Sequence, residues 1–81
     1  MFSLVKQDRG TELASAVIRR LKEIRLAKGI SMNELAVLAK VDQTAITRLE
    51  SGDRSPLLRT AINLCEALGP SLEEVLNDIS K

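Results

Sequence analysis

Side chains that could carry catalysis are scarce in this sequence. Histidine is absent, so no imidazole can ligate a metal or act as a base near neutral pH. The one cysteine, Cys65, falls on an apolar helical stripe, which is typical of a reduced core residue rather than a nucleophile. The sequence offers no metal-ligand cluster, no glycine loop to cradle a phosphate and no nucleophile–base pair. We therefore expect no metal, no cofactor and no enzymatic activity.

The charged residues are distributed unevenly along the chain. Residues 1–65 contain eleven Lys/Arg and seven Asp/Glu, a balance of +4, whereas residues 66–81 contain one and four, a balance of −3, and the two sum to the net charge of +1. A basic body with an acidic end can bind a polyanion with one face and keep the other face off it. Mixed surface charge without functional meaning explains the arithmetic equally well.

Composition places the chain among small globular proteins of a reducing compartment. Its 81 residues allow one domain, and a single cysteine argues against a secreted disulfide scaffold. No apolar run approaches the roughly 18 residues of a membrane span, and no signal peptide is recognisable. Phe2 is the only aromatic residue, so the stacking platforms of RNA-binding and single-strand-binding proteins are missing. We expect a cytoplasmic protein without membrane contact.

The elements that position the polar residues are predicted to be helices. Glycines and prolines divide the chain into segments in which apolar residues recur three and four positions apart, the spacing of one helix face. Strand-like alternation occurs only at residues 2–4, too short for a sheet. The prediction is an all-α domain over residues 11–81, preceded by an N-terminal extension, residues 1–10. Its helices are predicted at about 11–28, 32–39, 43–51, 56–68 and 72–79.

Capping signals set most of these boundaries. Residues 31–34 and 71–74 both read Ser-x-x-Glu, the sequence of a capping box. Asp42 is predicted to cap the third helix. Ser55 and Pro56 are predicted to open the fourth, as its cap and its first helical residue. The buried stripe of the fourth helix is expected to consist of Leu58, Ile62, Cys65 and Leu68.

The second and third helices carry the strongest signal for architecture. Only a few residues separate them, so they must cross steeply, and Ala36 is small enough to let the third helix approach closely. The residues expected to pack between them are Leu35, Ala39, Val41, Ile46 and Leu49. This pattern favours a helix-turn-helix, although spacing alone also allows an ordinary helix pair in a small bundle.

From Leu21 to Leu76 the sequence resembles the helix-turn-helix domain of phage repressors, the Cro/repressor or XRE-like family. The matching segments, in order and at the family's spacing, are residues 21–25, 29–31, 34–36, 46–52, 67–69 and 71–74. The resemblance implies a five-helix, lambda-repressor-like domain from a bacterium or phage that binds double-stranded DNA, usually as a two-fold dimer. Compact members include prophage repressors, restriction–modification controller proteins and antitoxins.

The resemblance assigns candidate DNA contacts residue by residue. The outward residues of the third helix are expected to read bases in the major groove; they are Gln43, Thr44, Thr47 and Arg48. Glutamine can bond adenine in two places, and arginine can fork onto guanine. Phosphate contacts are expected from the start of the second helix and the loop after the third, at Ser31, Asn33, Ser51 and Arg54. Lys40 and Arg59 are weaker phosphate candidates.

Other positions have structural roles by the same resemblance. Arg25 and Glu50 are expected to form a largely buried salt bridge between the first and third helices. Met32 occupies a slot often filled by a glutamine that braces the recognition helix, and we expect that side-chain contact to be absent. Lys40 replaces the usual turn glycine, so a left-handed conformation there would cost roughly 1 kcal/mol.

A homodimer is expected because a domain this small contacts few base pairs. Two copies could address half-sites about 34–36 Å apart. The apolar residues expected at the subunit interface are Leu57, Leu72, Val75 and Ile79, although the four apolar residues of the fifth helix, Leu72, Val75, Leu76 and Ile79, could instead all belong to the core. Residues 1–10 could fray, contact DNA through Lys6 and Arg9, or pack Phe2 and Leu4 on a neighbour.

The leading hypothesis is a sequence-specific transcriptional regulator that binds a palindromic operator. The alternative is an antitoxin-like interaction module whose main task is to bind another protein and in which DNA binding is secondary.

Overall fold

The computed structural model describes residues 8–81, and within that range it contains five α-helices and no strand. The helices are α1 (Arg9–Ala27), α2 (Met32–Ala39), α3 (Gln43–Ser51), α4 (Leu58–Leu68) and α5 (Leu72–Ile79). The predicted all-α, five-helix architecture is confirmed. The possible roles of Phe2, Leu4 and Lys6 lie outside the described residues.

No helix in residues 8–81 combines the length and the apolar character needed to cross a membrane.

The first helix begins at Arg9, two residues before the predicted start. Asp8 caps it, because its carboxylate accepts a 2.7 Å hydrogen bond from the backbone N–H of Thr11. That bond also lowers the pKa of Asp8 below its ordinary value. Arg9 and Gly10, which were predicted to precede the first helix, therefore belong to α1.

The fourth helix begins at Leu58, two residues after the predicted start. Its N-cap is Leu57, in an extended conformation with φ −70° and ψ 153°, and no side chain caps the helix. Pro56 and Leu49 of α3 line the same crevice, and residues 52–57 form the connection between α3 and α4. The prediction that Ser55 and Pro56 open α4 was wrong.

The later start also changes which residues of α4 face the core. Leu58 is 67% exposed and Ile62 is 37% exposed, so neither belongs to the buried stripe as predicted. The buried residues of α4 are Ala61, Leu64, Cys65 and Leu68.

The core lies where α4 packs against both α1 and α2, and α5 closes over α1. Its most deeply buried side chains are Ile46, Cys65, Leu68 and Val75. Val75 was expected to face a partner subunit, and that expectation was wrong. Only 1% of it is exposed, because the contact of α5 with α1 turns this position inward.

The turn between α2 and α3 is built from small residues and one left-handed residue. Ala36 and Ala39 are buried, and the carbonyl of Ala36 accepts a 3.0 Å hydrogen bond from the N–H of Val41. Lys40 has φ 60° and ψ 44°, the left-handed conformation that costs an L-residue roughly 1–2 kcal/mol. The close approach of α3 to α2 depends on this turn.

Candidate nucleic-acid interface

The exposed face of α3 brings together the four residues predicted to read bases. Ile46 and Leu49 are buried and fix the opposite face of the helix against the core. The outward residues are all exposed: Gln43, Thr44, Thr47 and Arg48. Because helical residues three and four apart share a face, this sequence presents hydroxyl, amide and guanidinium groups on one short surface.

A buried ion pair attaches α3 to α1. Arg25 Nε lies 2.8 Å from Glu50 Oε2, and Arg25 Nη2 lies 2.9 Å from Glu50 Oε1. The third guanidinium nitrogen donates to the carbonyl of Ile30 at 2.7 Å. Both side chains are 6% exposed. The charge of Glu50 is therefore matched inside the fold, and the same arginine connects α3 to the segment that precedes α2.

Met32 does contact α3, contrary to expectation. Its Sδ lies 3.5 Å from Thr47 Oγ1, within the range of a hydrogen bond to sulfur. Met32 is partly buried and packs against the core. A thioether is about as long as a glutamine side chain and can accept a weak hydrogen bond, so the contact between α2 and α3 is kept with a different acceptor.

The N-terminus of α2 should attract an anion less strongly than its helix dipole alone would predict. The backbone N–H of Ser31 donates to the Glu34 carboxylate, and the N–H of Glu34 donates to the Ser31 hydroxyl. The bond from the Ser31 backbone is the larger cause that lowers the pKa of Glu34, so a negative charge already sits there. The groups left for a phosphate are the Ser31 hydroxyl, the exposed Asn33 side chain and the N–H groups of Met32 and Asn33.

The loop after α3 supplies one cation, Arg54, at the other end of the surface. Gly52 ends α3 in a left-handed conformation, φ 87°. Ser51 Oγ donates to the carbonyl of Arg48 at 3.1 Å, so its single hydrogen is already engaged and a phosphate would have to displace it. Arg54 is exposed and lines the same cleft as Arg19 of α1.

The sequence reading missed Arg19 as a phosphate candidate. Arg19 is exposed and forms no ion pair among residues 8–81, whereas the adjacent Arg20 bonds Glu23 at 3.2 Å. No signal in the sequence marks Arg19, because only the fold places this turn of α1 beside the loop after α3.

The residues predicted for a subunit interface differ in their exposure. Leu57 is 67% exposed, while Leu72 and Ile79 are partly buried against the core. Beside them, an apolar groove runs between α1, α4 and α5. Its apolar lining residues include Leu13, Pro56, Leu58, Leu72 and Leu76. The exposure of Leu58 was not predicted, because the start of α4 was placed too early.

Comparison with known proteins identifies the family. The model of the helix-turn-helix family matches residues 21–75, more than half of the chain, and the chain belongs to this family. A protein of Haemophilus influenzae, described as an uncharacterized HTH-type transcriptional regulator, is 37% identical over 70 residues, which cover 86% of this chain and 71% of that protein.

Solved structures with the same fold include controller proteins of restriction–modification systems. A point mutant of the restriction–modification controller protein C.Esp1396I superposes with a TM-score of 0.78 at 29% identity, over 85% of this chain and 90% of that one. The controller protein C.AhdI from Aeromonas hydrophila has a TM-score of 0.70 at 33% identity, over 79% and 96%. The C.Esp1396I tetramer in complex with its natural 35 base-pair operator has a TM-score of 0.72 at 29% identity, over 85% and 96%.

Proposed function

We propose that this chain is a transcriptional regulator that binds a palindromic operator in double-stranded DNA as a homodimer, with α3 in the major groove. The observation that carries the proposal is the row of four polar side chains on the exposed face of α3, held in place by the buried pair of Arg25 and Glu50. A rigid helix with exposed hydrogen-bonding groups matches what base reading requires.

Base reading and phosphate binding divide between the two parts of this surface. Gln43 suits the two hydrogen-bonding atoms of adenine, and Arg48 suits those of guanine. Arg54, Ser31 and Asn33 lie at the two ends, where contacts to phosphates would fix the register of α3 on the duplex. Arg19 adds a cation to the end that contains Arg54.

Homodimerisation is supported by the apolar surface of α4 and α5. Leu57 and Leu58 are each 67% exposed beside the groove lined by Leu72 and Leu76. Exposed apolar side chains that cluster mark interaction surfaces. The C.Esp1396I tetramer on its operator is a related assembly of a protein with this fold. Ile79 extends the proposed interface, whereas Val75 has no part in it.

Selection of binding sites from random duplex DNA tests the proposal, since recovery of a palindrome is the expected result. Arg48→Ala should then relax specificity at one base position per half-site, with a cost of about 1–3 kcal/mol. Arg54→Ala should weaken all duplexes alike and reduce the slope of log affinity against log salt by about one. Identical behaviour of the two variants would contradict the division of roles.

Sedimentation equilibrium tests the homodimer. Leu58→Asp should dissociate it, because a carboxylate cannot be buried unpaired in an apolar interface. Leu26→Asp is the matched control, since Leu26 is 58% exposed on α1 and does not line the groove. Equal effects of the two variants would place the interface elsewhere.

A second candidate function, binding of another protein, is favoured by α2. Val37 is 71% exposed and Leu38 is 56% exposed, and neither lines the apolar groove between α1, α4 and α5. If the selection enriches no duplex and binding stays blind to sequence, this second candidate replaces the first.

A further inference from the structure

The two threonines on the exposed face of α3 differ in what their hydroxyl groups already contact. Thr47 Oγ1 lies 3.1 Å from the backbone carbonyl oxygen of Gln43 and 3.5 Å from Met32 Sδ. Both neighbours are acceptors, so the single hydrogen of this hydroxyl points back into the protein. Within residues 8–81, the hydroxyl of Thr44 makes no such contact, although both threonines are exposed.

This geometry leaves the γ-methyl group and the lone pairs of the hydroxyl oxygen as the parts of Thr47 that are available to a base. The hydroxyl cannot donate to a purine acceptor without giving up its bond within the protein. In the major groove, the apolar partner for a methyl group is the C5 methyl of thymine. Thr44 keeps a hydroxyl that can donate to a base or a phosphate.

We propose that Thr47 reads a thymine through its methyl group, and that Met32 is a positioning residue that, together with the backbone carbonyl of Gln43, keeps the Thr47 hydroxyl turned away from the groove. This inference rests on the proposed DNA-binding function and assigns different roles to two threonines three positions apart on α3. Because 5-methylcytosine carries a methyl group at the same place in the groove, the position facing Thr47 should also distinguish methylated from unmethylated cytosine.

The test replaces the thymines of the selected duplex by deoxyuridine, one at a time. Each replacement removes one methyl group and keeps the base pair. At the thymine that faces Thr47, the wild-type chain should lose about three- to fivefold in affinity, the value of one buried methyl group. Thr47→Ser should bind the two duplexes equally, because it has the hydroxyl but no methyl group. Thr47→Val should keep the preference, and Thr44→Ser, the matched control, should leave it unchanged.

Met32 is tested by the same ratio of affinities. Met32→Ala removes the sulfur acceptor and should reduce the preference for thymine over uracil at that position. Met32→Gln restores a side chain of similar length with an acceptor, and it should restore the preference. A purely structural role for Met32 would lower the affinity for both duplexes and leave their ratio unchanged, which would remove Met32 from the inference.

A measurement that needs no variant guards against misfolded mutants. With cytosine at the same position, the wild-type chain should bind the 5-methylated duplex about three- to fivefold more tightly than the unmethylated one. A thymine preference that survives in Thr47→Ser, or wild-type binding that ignores every uracil, would overturn the inference and leave the DNA-binding function intact. Failure to select any duplex would overturn the proposed function and the inference with it.

Discussion

The starts of α2 and α5 differ from the starts of α3 and α4. Ser31 and Ser71 each accept a hydrogen bond from the N–H three residues on, at 3.0 and 3.1 Å, and each donates its own N–H to the glutamate there at 2.8 Å. Asp42 and Leu57, the N-caps of α3 and α4, make no side-chain bond. Two helices thus carry their own start signal, and the other two begin where packing places them.

The difference teaches that the helix proposed to read DNA depends on the rest of the fold for its start. α3 has nine residues, and isolated helices shorter than about 12–15 residues are marginal in water. Its order comes from the buried Ile46 and Leu49 and from the ion pair of Glu50 with Arg25. Damage at these contacts should affect DNA reading and stability together, and damage at a capping box should cost less stability.

The largest effect is expected from Glu50→Ala. It strands the buried guanidinium of Arg25, which should cost roughly 3–5 kcal/mol of unfolding free energy. Urea unfolding followed by circular dichroism measures this cost, and part of the helical signal should be lost. Glu23→Ala is the control, because its pair with Arg20 is exposed and should contribute less than about 1 kcal/mol. An unchanged melting temperature in Glu50→Ala would show that α3 is not held by this pair.

Removal of the capping serines should give the next largest effect. Ser31→Ala and Ser71→Ala should each lower the unfolding free energy by about 1 kcal/mol, since each removes the acceptor for a helix N–H. Asp42→Ala should cost less than half of that, because its carboxylate caps nothing. Chemical denaturation of the three variants under one condition makes the comparison. If Asp42→Ala is as costly as the other two, the proposed contrast between the helix starts is wrong.

A cap introduced into α4 should have a smaller and opposite effect. Leu57→Ser supplies an acceptor at a position that already has the extended N-cap conformation, and it should raise the unfolding free energy by about 0.5–1 kcal/mol. Because Leu57 lies in the proposed interface, stability should be measured at protein concentrations below the dissociation constant of the dimer. Leu57→Ala is the control, and equal stability of the two variants would rule out a capping effect.

Mild acid should produce the smallest effect. The pKa of Glu34 is lower in the folded chain than its ordinary value of 4.5, because the Ser31 N–H bonds the charged form. The unfolded chain therefore takes up the proton first, so this stabilisation is present above that value and is lost as the pH falls through the lower, folded pKa. Melting temperatures between about pH 6 and pH 3 should decline less in Glu34→Gln than in the wild type. Parallel curves would contradict this assignment.

Local signals in the sequence predicted the helices that contain them. The Ser-x-x-Glu boxes placed the starts of α2 and α5 at the observed residues, and glycines marked the ends of α3 and α4. The start of α4 was misplaced because Ser55-Pro56 is a valid local signal that this helix does not use, since its N-cap is Leu57. Burial of Val75 was missed for a related reason, since the apolar face of α5 shows which residues avoid water but not which of them meet α1.

The polar surface was predictable as a set of residues but not as a set of contacts. Residue types and helical spacing placed Gln43, Thr44, Thr47 and Arg48 on one exposed face. The contact of Met32 with Thr47 joins residues fifteen positions apart through a weak acceptor, and no sequence rule anticipates it. Engagement of the Ser51 hydroxyl by the carbonyl of Arg48 was hidden in the same way, because it depends on one side-chain rotamer.

The buried Cys65 is a chemical probe of how often the core opens. It is the only cysteine, it is 1% exposed, and burial raises the pKa of its thiol, so a thiol reagent meets it only when α4 detaches from the domain. The sequence contains no tryptophan or tyrosine, so its own fluorescence offers no substitute. The rate of thiol labelling therefore reports how often the unmodified protein opens, and a bound duplex should slow that rate in proportion to its occupancy.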